Sequence, residues 1–162
     1  MRSLIVAIAL LWSLQAVAGT PMEVSIDTEG QFDANRIYSG TFIAVGAIDA
    51  QGSLVDSPRF SGAAIHITRT MLTSDGEYLG FDINANHVKG SQAVPSWCPP
   101  PETMPSGTVL VPESGNWMVL YGTGKYTTLK GTGSWASWVT LDLASGLPVS
   151  ANECLDGKVQ ID

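Results

Sequence analysis

Apolar residues recur along this chain at a spacing of two, the spacing of strands whose successive side chains point to opposite faces of a sheet. Residues 40–48 place Phe42, Ala44, Gly46 and Ile48 on one face and Ile43, Val45 and Ala47 on the other, which predicts a strand covered on both sides. Asp49-Ala50-Gln51-Gly52 reads as a turn, followed by a short piece around Leu54. In residues 60–68, Ala63, Ile65 and Ile67 oppose Ala64, His66 and Thr68, so His66 falls on the less apolar face. Residues 69–73 and 77–84 flank Ser74-Asp75-Gly76, and Asp-Gly between two strand-like runs predicts a hairpin. Residues 88–106 hold turn formers and three consecutive prolines without periodicity, and are expected to form a long ordered loop.

Strands are further expected at 108–111, 117–121, 133–143 and 155–161. In residues 133–143, Trp135, Ser137, Val139, Leu141 and Leu143 alternate with Ala136, Trp138, Thr140 and Asp142. The pattern gives an all-β fold, a single antiparallel barrel of about eight strands, because closure removes the exposed edges that strands otherwise present. No amphipathic helix, linker or domain boundary interrupts residues 19–162, which are expected to form one domain.

The first eighteen residues follow a different pattern. Arg2 precedes an unbroken apolar run from Leu4 to Trp12, and Ala16-Val17-Ala18 supplies small residues in the A-x-A arrangement of a signal-peptide cleavage site. Residues 1–18 therefore read as a signal peptide cleaved near Ala18, with the protein secreted or periplasmic and no membrane insertion after cleavage. The run is shorter than the roughly 20 residues a bilayer span needs.

The formal net charge is −7, and since Arg2 is the sole charged residue of the leader, its removal would make the charge −8. An acidic chain without a basic run is poorly suited to nucleic acid, which is held by Lys and Arg at its phosphates. Cys98 and Cys154 are the two cysteines, and in an oxidising compartment they are expected to join. A disulfide closing a loop of that length contributes about 4 kcal/mol on a chain-entropy argument.

The run from Tyr121 to Trp135 is rich in glycine. A glycine loop that cradles phosphate leads into a helix, whereas β-branched and aromatic residues follow here, so bends or bulges in strands are the expected role. Gly122-x-Gly124-x-Tyr126-x-x-Leu129-x-Gly131-x-Gly133 resembles the glycine-rich strand pair of the allene oxide cyclase and dirigent-like barrels, over about thirty residues from Trp117 to Leu143. The resemblance implies a calycin-like, eight-stranded antiparallel barrel with a central apolar cavity. Plant members of that superfamily cyclise a fatty-acid epoxide or orient phenoxy radicals for coupling. Their catalytic residues do not align onto this chain.

Candidate chemistry is sparse. Asp82-Ile83-Asn84-Ala85-Asn86 opens like a calcium loop, but the sixth and twelfth positions hold His87 and Ala93 where such a loop needs Gly and Glu. His66 and His87 are the two histidines, too few to specify a zinc or copper site. No metal and no cofactor is expected. Barrels of this size often enclose one small ligand, so the leading expectation is an exported barrel binding a small apolar or amphipathic molecule, lined by Phe42, Phe81, Tyr121, Tyr126 and Trp135. The alternatives are a cofactor-free cyclase or isomerase with His66, Glu77 or Asp82 as acid or base, and an interaction domain with a filled barrel. An outward Trp138 would need a reason such as a partner surface. The sequence leaves the oligomeric state open.

Overall fold

A computed structural model describes residues 19–61, 64–87 and 96–162. The expected signal peptide at 1–18 and the stretch 88–95 of the expected loop lie outside the described residues, as do Ala63, Ala93 and the His87 side chain. Eight antiparallel strands follow in chain order: β1 (Met22–Phe32), β2 (Tyr38–Gly46), β3 (Ala50–Ser61), β4 (Ala64–Thr73), β5 (Tyr78–His87), β6 (Thr108–Gly122), β7 (Lys130–Asp142) and β8 (Pro148–Gln160). Each is hydrogen-bonded to its neighbours in the chain, and β8 returns to β1, with Ile26 opposite Leu155, so the barrel is closed.

The fold class is as the periodicity predicts, while several boundaries differ for physical reasons. β1 was not marked by the apolar pattern, because its inward positions run Val24, Ile26, Thr28 and Gly30, and two of these four are not apolar side chains. β6 is one strand of 15 residues rather than the two short ones expected at 108–111 and 117–121; Pro112 and Gly115, which lie between those two, sit inside its ladder with β7. The expected strand 60–68 is split, since Ser61 ends β3 and Ala64 begins β4, and β4 then runs on to Thr73. The Ser74-Asp75-Gly76 hairpin joins β4 and β5, with Gly76 at φ +90°, a left-handed turn that glycine adopts without penalty.

One end of the barrel is plugged. The β6–β7 connection folds through a short 3-10 turn (Gly124–Tyr126) that buries Tyr126 and Leu129, and Ile48, Leu79 and Val159 complete the packing there. Higher in the lumen, Phe81 and Trp117 meet edge to face with ring centroids 5.6 Å apart. Trp117 needs space that only glycine leaves. A Cβ added at Gly133 or at Gly157 would come within 2.6 Å of its indole ring. Each large side chain buried in this half contributes roughly 1.5–3 kcal/mol by leaving water.

The disulfide joins Cys98 to Cys154 with Cα atoms 5.6 Å apart, on the outer wall of the barrel beside Ala136. Trp138 does face outward, and its reason is internal. Its indole Nε1 donates a 3.0 Å hydrogen bond to the Cys98 carbonyl, so it holds the loop that the disulfide ties down.

Candidate functional site

The strand register lines up two polar rows inside an otherwise apolar lumen. Tyr38 on β2 lies opposite Asp56 on β3, which lies opposite Arg69 on β4. On the far wall Glu113 of β6, Ser137 of β7, Glu153 of β8 and Thr28 of β1 are consecutive cross-strand partners. All seven are buried.

Arg69 connects the rows. Its Nε donates to Asp56 Oδ1 at 2.8 Å and its Nη2 to Asp56 Oδ2 at 2.6 Å, a two-pronged contact with a carboxylate in its own sheet region. The same Nη2 donates across the lumen to Glu153 Oε2 in a charge-assisted bond, and Thr28 Oγ1 donates to that oxygen at 3.2 Å. Tyr38 donates its hydroxyl to the Ala151 carbonyl at 3.0 Å. Burial opposes the guanidinium's charge, but the Asp56 and Glu153 carboxylates outweigh it and hold Arg69 protonated. Burial pushes the Tyr38 phenol above its ordinary range, so it stays neutral and a donor.

Above this cluster, toward the β1–β2 and β7–β8 turns, the lumen opens into a cavity of about 390 Å³. Its wall is mainly apolar, with Phe32, Pro58, Ile65, Ile67, Val139, Leu141 and Pro148, while Tyr38, Asp56, Glu113 and Glu153 give it a polar floor and flank. Arg36 stands at the rim in the left-handed region (φ 63°), in a turn whose Asn35 and Ile37 amides both donate to Asp33 Oδ1 at 2.8 Å. Glu113 is pushed up to about 7, first by burial and then by the nearby Glu153 carboxylate.

The residues expected to line a cavity are elsewhere. Phe42, Phe81, Tyr126 and Trp135 are packed into the solid part of the core, and Tyr121 lies on the outer surface with its hydroxyl 3.2 Å from Thr70 Oγ1. None of the five is on the wall of this cavity. The acid–base candidates also fall outside it. His66 and Asp82 do meet, with Nε2 to Oδ1 at 2.9 Å, but on the exterior, where His66 Nδ1 also contacts Asn84 Oδ1 at 2.9 Å. Glu77 sits at the plugged end and accepts from Thr123 Oγ1 at 2.6 Å. Asp82 and Asn84, the start of the calcium-like motif, are outward residues of β5 engaged with each other and with His66.

The site residues that the pattern did not mark are Asp56, Arg69, Glu113 and Glu153. A signal was present. Arg69 follows Ile65 and Ile67 and precedes Met71 at the inward period of two, and Glu153 stands between Ala151 and Leu155 in the same way. A charge in phase with apolar positions marks a buried ion. Comparison with family models, curated proteins and solved structures returned no match.

Two stability measurements test this site. Arg69→Met leaves Asp56 and Glu153 buried without their cation, so urea unfolding should show a loss of about 3–5 kcal/mol, greater at pH 8 than at pH 5 because the stranded carboxyls must take up protons. For Glu113 the folded state holds its proton to about 7 while the unfolded chain releases it near the ordinary 4.5. Between those values the folded state binds more protons, so this group's stabilising contribution is complete below 4.5 and is lost as pH rises through 7. Glu113→Gln should therefore be stabilised relative to wild type at pH 8, by about 1–3 kcal/mol given about 1.4 kcal/mol per pKa unit, and little changed at pH 4.5.

Proposed function

We propose that this protein is an exported small barrel that binds a small apolar or amphipathic molecule in the open half of its lumen. The observation that carries the reading is the cavity of about 390 Å³, apolar along its walls, polar at its floor, and open at one end. Sites for small molecules have volumes of about 300–1,000 Å³ with mostly apolar linings and a few placed polar groups. Export is supported by the signal-peptide pattern of residues 1–18 and by the Cys98–Cys154 disulfide, a bond that persists in oxidising compartments.

Binding is preferred to cyclase or isomerase chemistry on the placement of the acid–base candidates. His66 and Asp82 face outward and Glu77 lies at the opposite end of the barrel, so none of them reaches a molecule in the cavity. A filled barrel, the remaining alternative, does not fit an open volume of this size above the Arg69 level.

Binding is measured by the fluorescence of N-phenyl-1-naphthylamine, a neutral dye that brightens in apolar surroundings. A saturable one-to-one enhancement is expected with the wild-type protein. Ile67→Trp, which pushes a ring into the cavity, should weaken it at least ~10-fold, about 1.4 kcal/mol; Ile43→Trp, on the exposed outer face of β2, should leave it unchanged. Equal binding by all three proteins would place the dye on the surface and remove the support for a cavity ligand.

A further inference from the structure

We infer that the cavity selects a hydrophobic amine, an apolar body with a positively charged, hydrogen-bond-donating head, over a carboxylic acid of the same size; this rests on the binding reading above and names its ligand class. The inference comes from which polar atoms the floor can still offer. Most donors around the floor are spent inside the protein: Arg69 Nε and Nη2 on Asp56 and Glu153, Thr28 Oγ1 on Glu153, and the Tyr38 hydroxyl on the Ala151 carbonyl. Ser137 Oγ and Trp135 Nε1 have no hydrogen-bond partner among the described residues, but both residues are buried and neither is part of the cavity wall. Arg69 Nη1 has no hydrogen-bond partner among the described residues, but Arg69 is completely enclosed and is not part of the cavity wall.

Acceptor positions remain on Asp56 and Glu153. A carboxylate has about four lone-pair positions, and the bonds from Arg69 and Thr28 leave some of those on Asp56 and Glu153 open, with both residues on the cavity wall. Glu113 adds a third carboxyl to the same lining. The enclosed ionisable groups are thus three carboxyls around one guanidinium, with burial pushing Glu153 up and Glu113 up to about 7, while Arg36, the cation among the described lining residues, stands exposed at the rim.

At pH 8, above the Glu113 value of about 7, a ligand carboxylate would give up its hydration to sit beside like charges, with the unpartnered Ser137 and Arg69 donors behind the cavity wall rather than on it, and such a burial is costly. An ammonium in the same place gains acceptors and an opposing charge. Its apolar tail then runs outward past Ile67 and Val139 toward Leu141 and Pro148, where the wall offers nothing polar to satisfy.

The test is a matched series of octylamine, 1-octanol and octanoate, titrated calorimetrically at pH 8 into the wild-type protein and into Ile67→Trp. Octylamine should bind tightest and exceed octanoate at least ~10-fold, with octanol between them, and the difference should vanish in Ile67→Trp. Octanoate binding as well as octylamine would overturn the amine preference while leaving the cavity reading intact, provided that the naphthylamine dye still binds. An amine preference that persists in Ile67→Trp would reflect the acidic surface and would also overturn it. If neither the series nor the dye binds, the cavity reading fails with it.

Discussion

Arg69 and Glu153 stand on β4 and β8, strands half a circuit apart in an eight-stranded barrel, and the guanidinium spans the lumen between them. Placing these groups away from water is expensive, and the attraction between them repays the cost only because the geometry is close and Asp56 grips two nitrogens at once. An apolar trio of similar volume would often hold a barrel together as well or better. What the ion cluster supplies is therefore better sought in its position than in its net stability. It keeps the middle of the lumen polar, fixes the distance between opposite walls, and forms a floor that apolar side chains from above cannot cross.

The two halves of the barrel differ accordingly. Below the floor, Trp117, Trp135, Phe81 and Leu155 fill the space, the Gly124–Tyr126 turn closes the end, and Gly133 and Gly157 leave room for the Trp117 ring. Above it, inward positions of β4 and β7 carry Ile65, Ile67, Val139 and Leu141, which line the open cavity. The disulfide and Trp138 act outside, holding the residue 98 segment against β7 and β8 without entering the lumen. Packing, hydrogen bonds and the disulfide thus hold the walls around and beneath the cavity, and a preformed site avoids an ordering cost when a ligand enters.

Much of the barrel was legible because period-two alternation is strong where inward residues are large, as in β5 and β7. It was weak in β1, where Thr28 and Gly30 replace apolar residues, and it was broken on paper in β6 by Pro112 and Gly115, which tertiary pairing accommodates. The cavity was legible as a possibility of the fold but not in its residues. Aromatic side chains are good markers of burial, and Phe42, Phe81 and Trp135 are indeed buried, yet large rings fill space and so mark the packed half. The open half is lined by medium-sized side chains and by charges whose meaning depends on which residues the register sets side by side. Tyr38, Asp56 and Arg69 are adjacent only because β2, β3 and β4 pair as they do.

The claim that most depends on this geometry is that the lumen is hollow above Arg69 and solid below it. Methyl-labelled NMR of the protein during addition of a small apolar molecule such as cyclohexane tests it most directly. The account predicts saturable shifts at the Ile65, Ile67, Val139 and Leu141 methyls, with Ile26, Leu79 and Leu155 below the floor and Ile43 outside unmoved. Shifts spread over the outer face, or none at the four upper residues, would contradict it.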